Sequence, residues 1–394
     1  MLCPKCESNK LIKRGVIQGR QRYECKDCHF TTLNPKAEEF DSNKIAQKDR
    51  DLSRREIKKF RDKTQLENAL VAYNEAIVAR LDAAKKNYTP YIKAHKKVAY
   101  PKMTPIIQIS DAHFNELVNL KHNTYDFEVA SKRMQKYAHK CLKYLKPFEI
   151  DRVVVALTGD LLNSDRRLDE LLAMATNRTN ATFLSVDILT GFILDINQHY
   201  NVEVVCVSGN ESRMSEYIGY VDIIATDNYD FTIFKILDRT LSGKDGVKFI
   251  KGDDPVEQVI NCAGQNVLCL HGTDLPATGL ERVIQGIKGK YSSQGILIDY
   301  VIYGHLHCTR IGDTYARSAS LVGANAFSDR KLNLAGRAAQ NLHLLFSDGS
   351  RDCIKIDLQD ADHYEGYKLD PDIDCRNAYN AKSKKKKANP KLLS

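Results

Sequence analysis

Five short clusters in this 394-residue sequence carry side chains able to bind cations: Asp111-Ala112-His113, Gly159-Asp160, Gly209-Asn210-Glu211, His271-Gly272 and Gly304-His305-Leu306-His307. Their donors are carboxylate, amide oxygen and imidazole, with no thiolate. Such a set suits Mn, Fe, Zn or Ni and disfavours a closed structural zinc site. Together Asp111, His113, Asp160, Asn210, His271, His305 and His307 exceed the needs of one ion. Two divalent ions sharing a carboxylate are therefore expected, with Mn foremost. An ion pair roughly 3.5 to 4 Å apart lowers the pKa of a shared water, so that a bridging hydroxide attacks phosphorus, and neutralises the phosphoryl oxygens. That chemistry hydrolyses phosphate monoesters or diesters and does not select between them.

Each cluster follows an apolar run that must position it. The runs are Pro105-Ile106-Ile107-Gln108-Ile109, Val153-Val154-Val155-Ala156-Leu157, Val202-Glu203-Val204-Val205-Cys206-Val207, Asn266-Val267-Leu268-Cys269-Leu270 and Tyr300-Val301-Ile302-Tyr303. Short, β-branched and almost uninterrupted, they read as strands buried on both faces. Laid side by side, their carboxyl ends form a common edge, where α/β proteins build ligand sites. The intervals between Asp111, Asp160, Asn210, His271 and His305, at 49, 50, 61 and 34 residues, each leave room for a crossover helix. A lone Asp-x-His or Gly-Asp after a strand is more often a turn. Five in order at the same end of predicted strands point to one site.

The ordered set Asp-x-His, Gly-Asp, Gly-Asn, His-Gly and Gly-His-x-His resembles that of the calcineurin-like metallophosphoesterase superfamily, over roughly residues 101 to 358. The resemblance implies a four-layer αββα sandwich. It also implies that Asp111, His113 and His307 hold one metal, that Asn210, His271 and His305 hold the other, and that Asp160 bridges them. The superfamily usually has Gly-Asn-His where this chain has Gly209-Asn210-Glu211. Glu211 is either a general acid with a raised pKa, or turned away while Arg213 or a water does that work. Arg166 and Arg167 are placed to reach substrate phosphates. Alternatively they lie on an exposed helix start capped by Ser164.

A second site is written at the N-terminus. Cys3-Pro4-Lys5-Cys6 and Cys25-Lys26-Asp27-Cys28 have the spacing of two knuckles closing one structural Zn site, with a hairpin turn expected from Gln18 to Tyr23. So short a module needs its metal to fold. The run from Gln21 to Cys28 resembles the zinc ribbon of some insertion-sequence transposases, which implies DNA contact. Seven Lys or Arg against three acids from Met1 to Thr32, a balance of +4, agree with it. Protein contact is the other role for such a ribbon.

The net charge of +9 gathers at the two ends, since Arg376 to Ser394 carries seven basic residues and no acid, while the stretch between the ends is slightly acidic. Basic ends suit non-specific phosphate contact. Four segments are expected: a ribbon at 1–35, a charged helical linker at 36–100, the catalytic domain at 101–358 and an extension with a basic tail at 359–394. In the linker, Ser53-Arg54-Arg55-Glu56 and Thr64-Gln65-Leu66-Glu67 match capping boxes. Leu66, Leu70, Tyr73, Ile77 and Leu81 form an apolar stripe that is expected to pack on the catalytic domain or to pair with a second copy. Pro90 and Pro101 mark the exit. No secretory signal or membrane-spanning run is evident, and the scattered cysteines suit a reducing cytoplasm.

The sequence thus reads as a metal-dependent phosphoesterase. A DNA phosphodiesterase or nuclease, of the double-strand-break-repair branch, is favoured. A nucleotide or protein phosphatase with a docking ribbon, and an impaired DNA-binding adaptor, are the alternatives.

Overall fold

The computed structural model describes residues 1–36, 42–87, 101–215, 225–252, 254–330 and 336–378. Pro90, the expected boundary near residue 100 and the Lys382–Lys387 run lie outside them. The chain divides into two compact units, Met1–Lys97 and Val98–Ser394.

In the first unit, β1 (Leu11–Ile17) and β2 (Arg20–Cys25) form an antiparallel hairpin, and β3 (Thr31–Thr32) pairs with β2. Gln18 and Gly19 both take positive φ, 49° and 73°. That is the two-residue turn whose twist matches a hairpin. Helix α1 (Ser42–Asn87) then runs unbroken for 46 residues. The expected capping boxes do not start helices: Ser53 and Thr64 lie inside α1, and the Thr64 hydroxyl donates to the Phe60 carbonyl at 3.0 Å. A cap requires a non-helical residue before it. The segment holds no Gly or Pro, so the helix propagates through both. Nothing within the first unit covers the apolar stripe among the described residues, as Leu66, Leu70, Tyr73, Ile77 and Leu81 are exposed.

In the second unit, β4 (Met103–Ile109) leads through the short β5 (Val118–Asn119) and β6 (Thr124–Tyr125) to α2 (Phe127–Leu145). It continues with β7 (Arg152–Leu157), α3 (Leu168–Leu172), α4 (Arg178–Asn197), β8 (Asn201–Cys206), α5 (Tyr229–Leu241) and β9 (Val247–Phe249). There follow β10 (Glu257–Cys262), β11 (Gln265–Leu270), α6 (Leu280–Ser293), β12 (Tyr300–Tyr303), β13 (Arg310–Ile311) and β14 (Tyr315–Arg317). Helix α7 (Ala326–Arg330), β15 (Ala339–Phe346) and β16 (Arg351–Asp357) complete it. A six-stranded sheet has the order β16-β15-β4-β7-β8-β9, and a five-stranded sheet the order β10-β11-β12-β14-β13.

All five apolar runs are strands, but they do not share one edge. β4, β7 and β8 are parallel neighbours in the larger sheet, whereas β11 and β12 are parallel neighbours in the smaller one. The sheets face each other. Ile106, Val154, Ala156 and Val205 meet Val267, Cys269, Tyr300 and Ile302 between them. With period two, Ile107, Ile109, Val153 and Val155 turn to the opposite face, beneath α2, α4 and α5. Val301 and Tyr303 likewise turn to Leu280 and Ile284 of α6. The result is a four-layer αββα sandwich, and burial on both faces explains the uninterrupted apolar runs.

Polar bonds tie the layers together. Buried Gln108 of β4 donates to Tyr303 O at 2.9 Å across the sheets, and its Oε1 lies 3.0 Å from His343 Nε2. Arg133 of α2, almost wholly buried, donates to Leu321 O, Val322 O and Asn123 Oδ1 at 2.8 to 2.9 Å. Contrary to expectation, α4 is long and apolar enough to cross a bilayer, but Leu184, Ile188, Leu189 and Phe192 are buried in the core. The irregular acidic stretch after β16 also packs inward, through Tyr367, Leu369 and Ile373.

Candidate metal centre

The carboxyl ends of β4, β7 and β8 from one sheet, and of β11 and β12 from the other, meet at one place. After β4 the chain stays paired with the segment after β7: Asp111 N donates to Gly159 O and His113 N to Asp160 O, both at 3.0 Å. Within the smaller sheet, Gly304 N donates to His271 O at 2.9 Å, so the segments after β11 and β12 stay paired too. Asp111, His113, Asp160, His305 and His307 all have φ between 42° and 70°, the left-handed region that non-glycine residues seldom occupy. Strained backbone of this kind gathers at functional sites, where surrounding structure over-determines it.

Two clusters of ligand atoms result. In the first, His113 Nε2 lies 3.2 Å from His307 Nε2, which is 3.4 Å from Asp111 Oδ1. Asp111 is fully buried and accepts from Ser110 Oγ at 2.7 Å and from His305 N at 3.0 Å. Burial and the neighbouring His307 hold His113 down to about 4. In the second, His271 Nε2 lies 2.9 Å from Asp160 Oδ2 and 3.0 Å from Asn210 Oδ1. His305 joins this cluster. Within each Asp/His group the ligand atoms are within 4.8 Å of one another.

The donor chemistry fits a bound cation. His271 Nδ1 donates to the Thr158 carbonyl at 2.9 Å, which leaves Nε2 turned toward the Asp160 and Asn210 oxygens. Positive charge there, as a bound cation or as a proton on Nε2, suits both oxygens. Burial opposes charge on His271, yet the Asp160 carboxylate outweighs it and pushes the imidazole up to about 10. The structure therefore brings together all seven residues singled out in the sequence.

Two glycines permit this closeness. A Cβ on Gly209 would collide with the Asp160 carboxylate, and one on Gly304 with Ser110 Oγ and Asp111 Oδ2.

Glu211 does not turn away. It lines a cleft of about 450 Å³ beside His113, His305 and His307. Its Oε1 accepts from Asn210 Nδ2 at 2.6 Å and its Oε2 from Arg166 Nη2 at 3.3 Å, while its own N–H donates to Asp160 Oδ1 at 2.7 Å. Arg166 also donates to the carbonyls of Asn210, Glu211 and Arg213, so its guanidinium braces this turn. Arg213 donates to Asn210 O. Arg167 is largely exposed at the mouth of the cleft and pairs with Glu170. Ser164 is not a helix cap, since α3 begins at Leu168 after Arg167; its hydroxyl instead accepts from Arg166 N at 3.2 Å. A second cleft, about 400 Å³, opens beside Asn210 and His271 and is lined also by Leu275, Ile287 and Lys290.

Sequence reasoning passed over the residues that hold these loops. Asp230, fully buried in the first turn of α5, accepts from Asp160 N at 2.9 Å, Leu161 N at 2.8 Å and Gly209 N at 2.8 Å. Burial and the charge of Asp160 raise its carboxyl to about 6 despite those donors. Asn228 caps α5 and donates to Gly209 O at 2.9 Å. Arg178 donates to Glu211 O and Arg213 O at 3.1 Å and stacks over the Tyr229 ring. An Asn-x-Asp start to an amphipathic helix was the one available signal. It marks a cap but does not reveal which loops the cap reaches.

No protein-family model matches the sequence, and no curated protein matches it. Among solved structures, the chain is similar to zinc-complexed Vps29 from Entamoeba histolytica, at 12% identity and a TM-score of 0.29, over 64% of this chain and 99% of that one. It is also similar to a predicted phosphoesterase from Streptococcus pneumoniae, at 13% and 0.27, over 64% of this chain and 98% of that one. The 5′-nucleotidase from Candida albicans overlaps 74% of this chain and 59% of its own, at 9% identity and 0.28. At such identities and TM-scores, none of these likenesses identifies an activity.

Proposed function

We propose that this chain is a dinuclear metal-dependent phosphoesterase that hydrolyses phosphodiesters of nucleic acid, most readily DNA. The observation that carries the reading is the pair of Asp/His clusters meeting at strand ends from two sheets. Asp111, His113 and His307 would hold one divalent ion, and Asn210, His271 and His305 the other, with Asp160 between them. Such ions, Mn foremost, supply Lewis acidity that activates water and offsets charge developing on phosphoryl oxygens.

The chain's own groups do the rest. Thr158 O fixes the His271 tautomer, so that Nε2 faces the site. Both carboxylate oxygens of Glu211 are engaged, and we read its part as turning the Asn210 oxygen toward His271 rather than as donating a proton. Arg167, exposed at the cleft mouth, would leave its pair with Glu170 to reach a substrate phosphate, while Arg166 and Arg213 hold the Asn210 turn. Clefts on both flanks of the centre suit an ester extending on either side of phosphorus. Four cysteines held within 4.8 Å at the N-terminus would bind one structural Zn and form the ribbon that contacts DNA. We place the protein in the cytoplasm, where buried Cys141, Cys262 and Cys269 stay reduced.

The test is a substrate panel with Mn²⁺. The wild-type protein is expected to nick or degrade labelled DNA, and Asp160→Ala or His305→Ala to reduce this to background. Turnover of a small monoester with none of any DNA or RNA would instead favour the phosphatase. DNA binding without hydrolysis under any metal would favour the adaptor.

A further inference from the structure

We infer that α1 is a dimerisation arm that pairs antiparallel with α1 of a second copy of this chain, centred between Leu70 and Tyr73. The inference is independent of the phosphoesterase reading. An isolated helix draws little stability from its own hydrogen bonds, and in proteins an apolar face supplies the remainder by being covered. Along α1 no described residue of its own unit covers that face: Phe60, Leu66, Leu70, Tyr73, Ile77 and Leu81 are 37 to 72% exposed. An uncovered apolar stripe of this length marks an interaction surface.

The sequence of the stripe indicates its partner. Leu66, Leu70, Tyr73 and Ile77 follow one another at spacings of four, three and four, the alternation of a two-stranded coiled-coil seam. Two copies run antiparallel can set Leu66 against Ile77 of the partner subunit and Leu70 against Tyr73 of the partner subunit. The two-fold operation repeats both contacts, giving four apolar layers from one self-complementary patch. Phe60 and Leu81 flank the seam. Lys63 and Arg80 take the next positions at its ends, with stems long enough to carry their charges to water.

Charge sets the direction. From Ser42 to Lys63 the helix carries nine Lys or Arg against four Asp or Glu, whereas from Thr64 to Asn87 it carries three of each. Parallel pairing would lay two strongly basic halves side by side, with Lys59 and Lys63 at seam positions facing their own copies. Antiparallel pairing joins the neutral halves and sends the basic halves apart.

Sedimentation of the full chain at rising concentration is expected to show a monomer–dimer equilibrium. Leu70→Glu combined with Ile77→Glu is expected to leave only monomer, with the helical circular dichroism of the rest retained. A chain that is monomeric throughout, or a dimer indifferent to both substitutions, overturns the proposal. Direction is read separately, from a spin label on an unnatural ketone side chain at position 52. Antiparallel arms put the two labels about 60 Å apart and parallel arms roughly 10 to 20 Å apart. The short distance would also overturn it.

Discussion

Asp230 accepts three backbone N–H groups from two different loops, and those loops carry Asp160 and Asn210. Hydrogen bonds to an ionised acceptor are worth about 1.5 to 3 kcal/mol each, and leaving a buried donor unpaired costs as much again. Asp230→Asn keeps the shape but turns an amide N–H₂ toward at least one of those donors. We expect Mn²⁺ affinity, measured by titration calorimetry, to fall about 10- to 100-fold, as for other groups that orient ligands. Unchanged affinity would show that the loops hold their geometry without this carboxylate. The contrast with the ligands explains what could be read in advance. Asp111, Asp160, Asn210, His271 and His305 stand directly after apolar runs, so local order in the sequence marks them. Asp230 lies 70 residues from the peptide N–H it binds at Asp160, and no local pattern encodes that meeting. Glu211 is intermediate: its position was evident, but its engagement with Asn210 and Arg166 depends on side-chain geometry.

At the scale of elements, the five strands were legible because burial on both faces leaves a composition signature. Their division between two sheets was not, because a run such as Val153–Leu157 and one such as Val267–Leu270 look alike whichever sheet they join. Buried polar links across the layers record that division. His343 of β15 sits fully buried between Tyr300 OH and Gln108 Oε1, and burial lowers its pKa to about 3. The native imidazole therefore refuses a proton that the unfolded chain accepts near pH 6.5. Since the unfolded state binds more protons between about 6.5 and 3, stability falls as the pH falls through that window, by up to about 1.4 kcal/mol per pH unit. Above pH 6.5 this residue contributes no pH dependence. His343→Gln, which can still donate to Gln108, removes the titration. Denaturant unfolding of both proteins from pH 7 to pH 4 should give the variant the shallower acid decline, and equal slopes would count against a proton-free His343. Acid effects on the metal centre are common to both proteins and cancel in the comparison.

For the whole molecule, the proposed function assigns nucleic-acid contact to the basic cysteine-bearing unit and hydrolysis to the αββα sandwich. The two compact units fall at Met1–Lys97 and Val98–Ser394. The basic C-terminal tail offers only composition, since a run of lysines specifies charge without specifying a fold. Within the N-terminal unit, Lys10 and Arg14 are paired with Asp27 and Glu24. Lys5, Lys13, Arg20, Arg22 and Lys26 have no acidic partner among the described residues. Each phosphate contact releases bound counterions, adding about 0.9 to the slope of log affinity against log salt on duplex DNA. If these five side chains make such contacts, deleting residues 1–32 should weaken DNA binding and lower that slope by about 4.5. Hydrolysis of a small diester should survive, because the candidate ligands from Asp111 to His307 all lie in the other unit. A slope that does not move on deletion assigns the phosphate contacts to other basic residues, the C-terminal tail among them, and leaves the four-cysteine unit to bind protein.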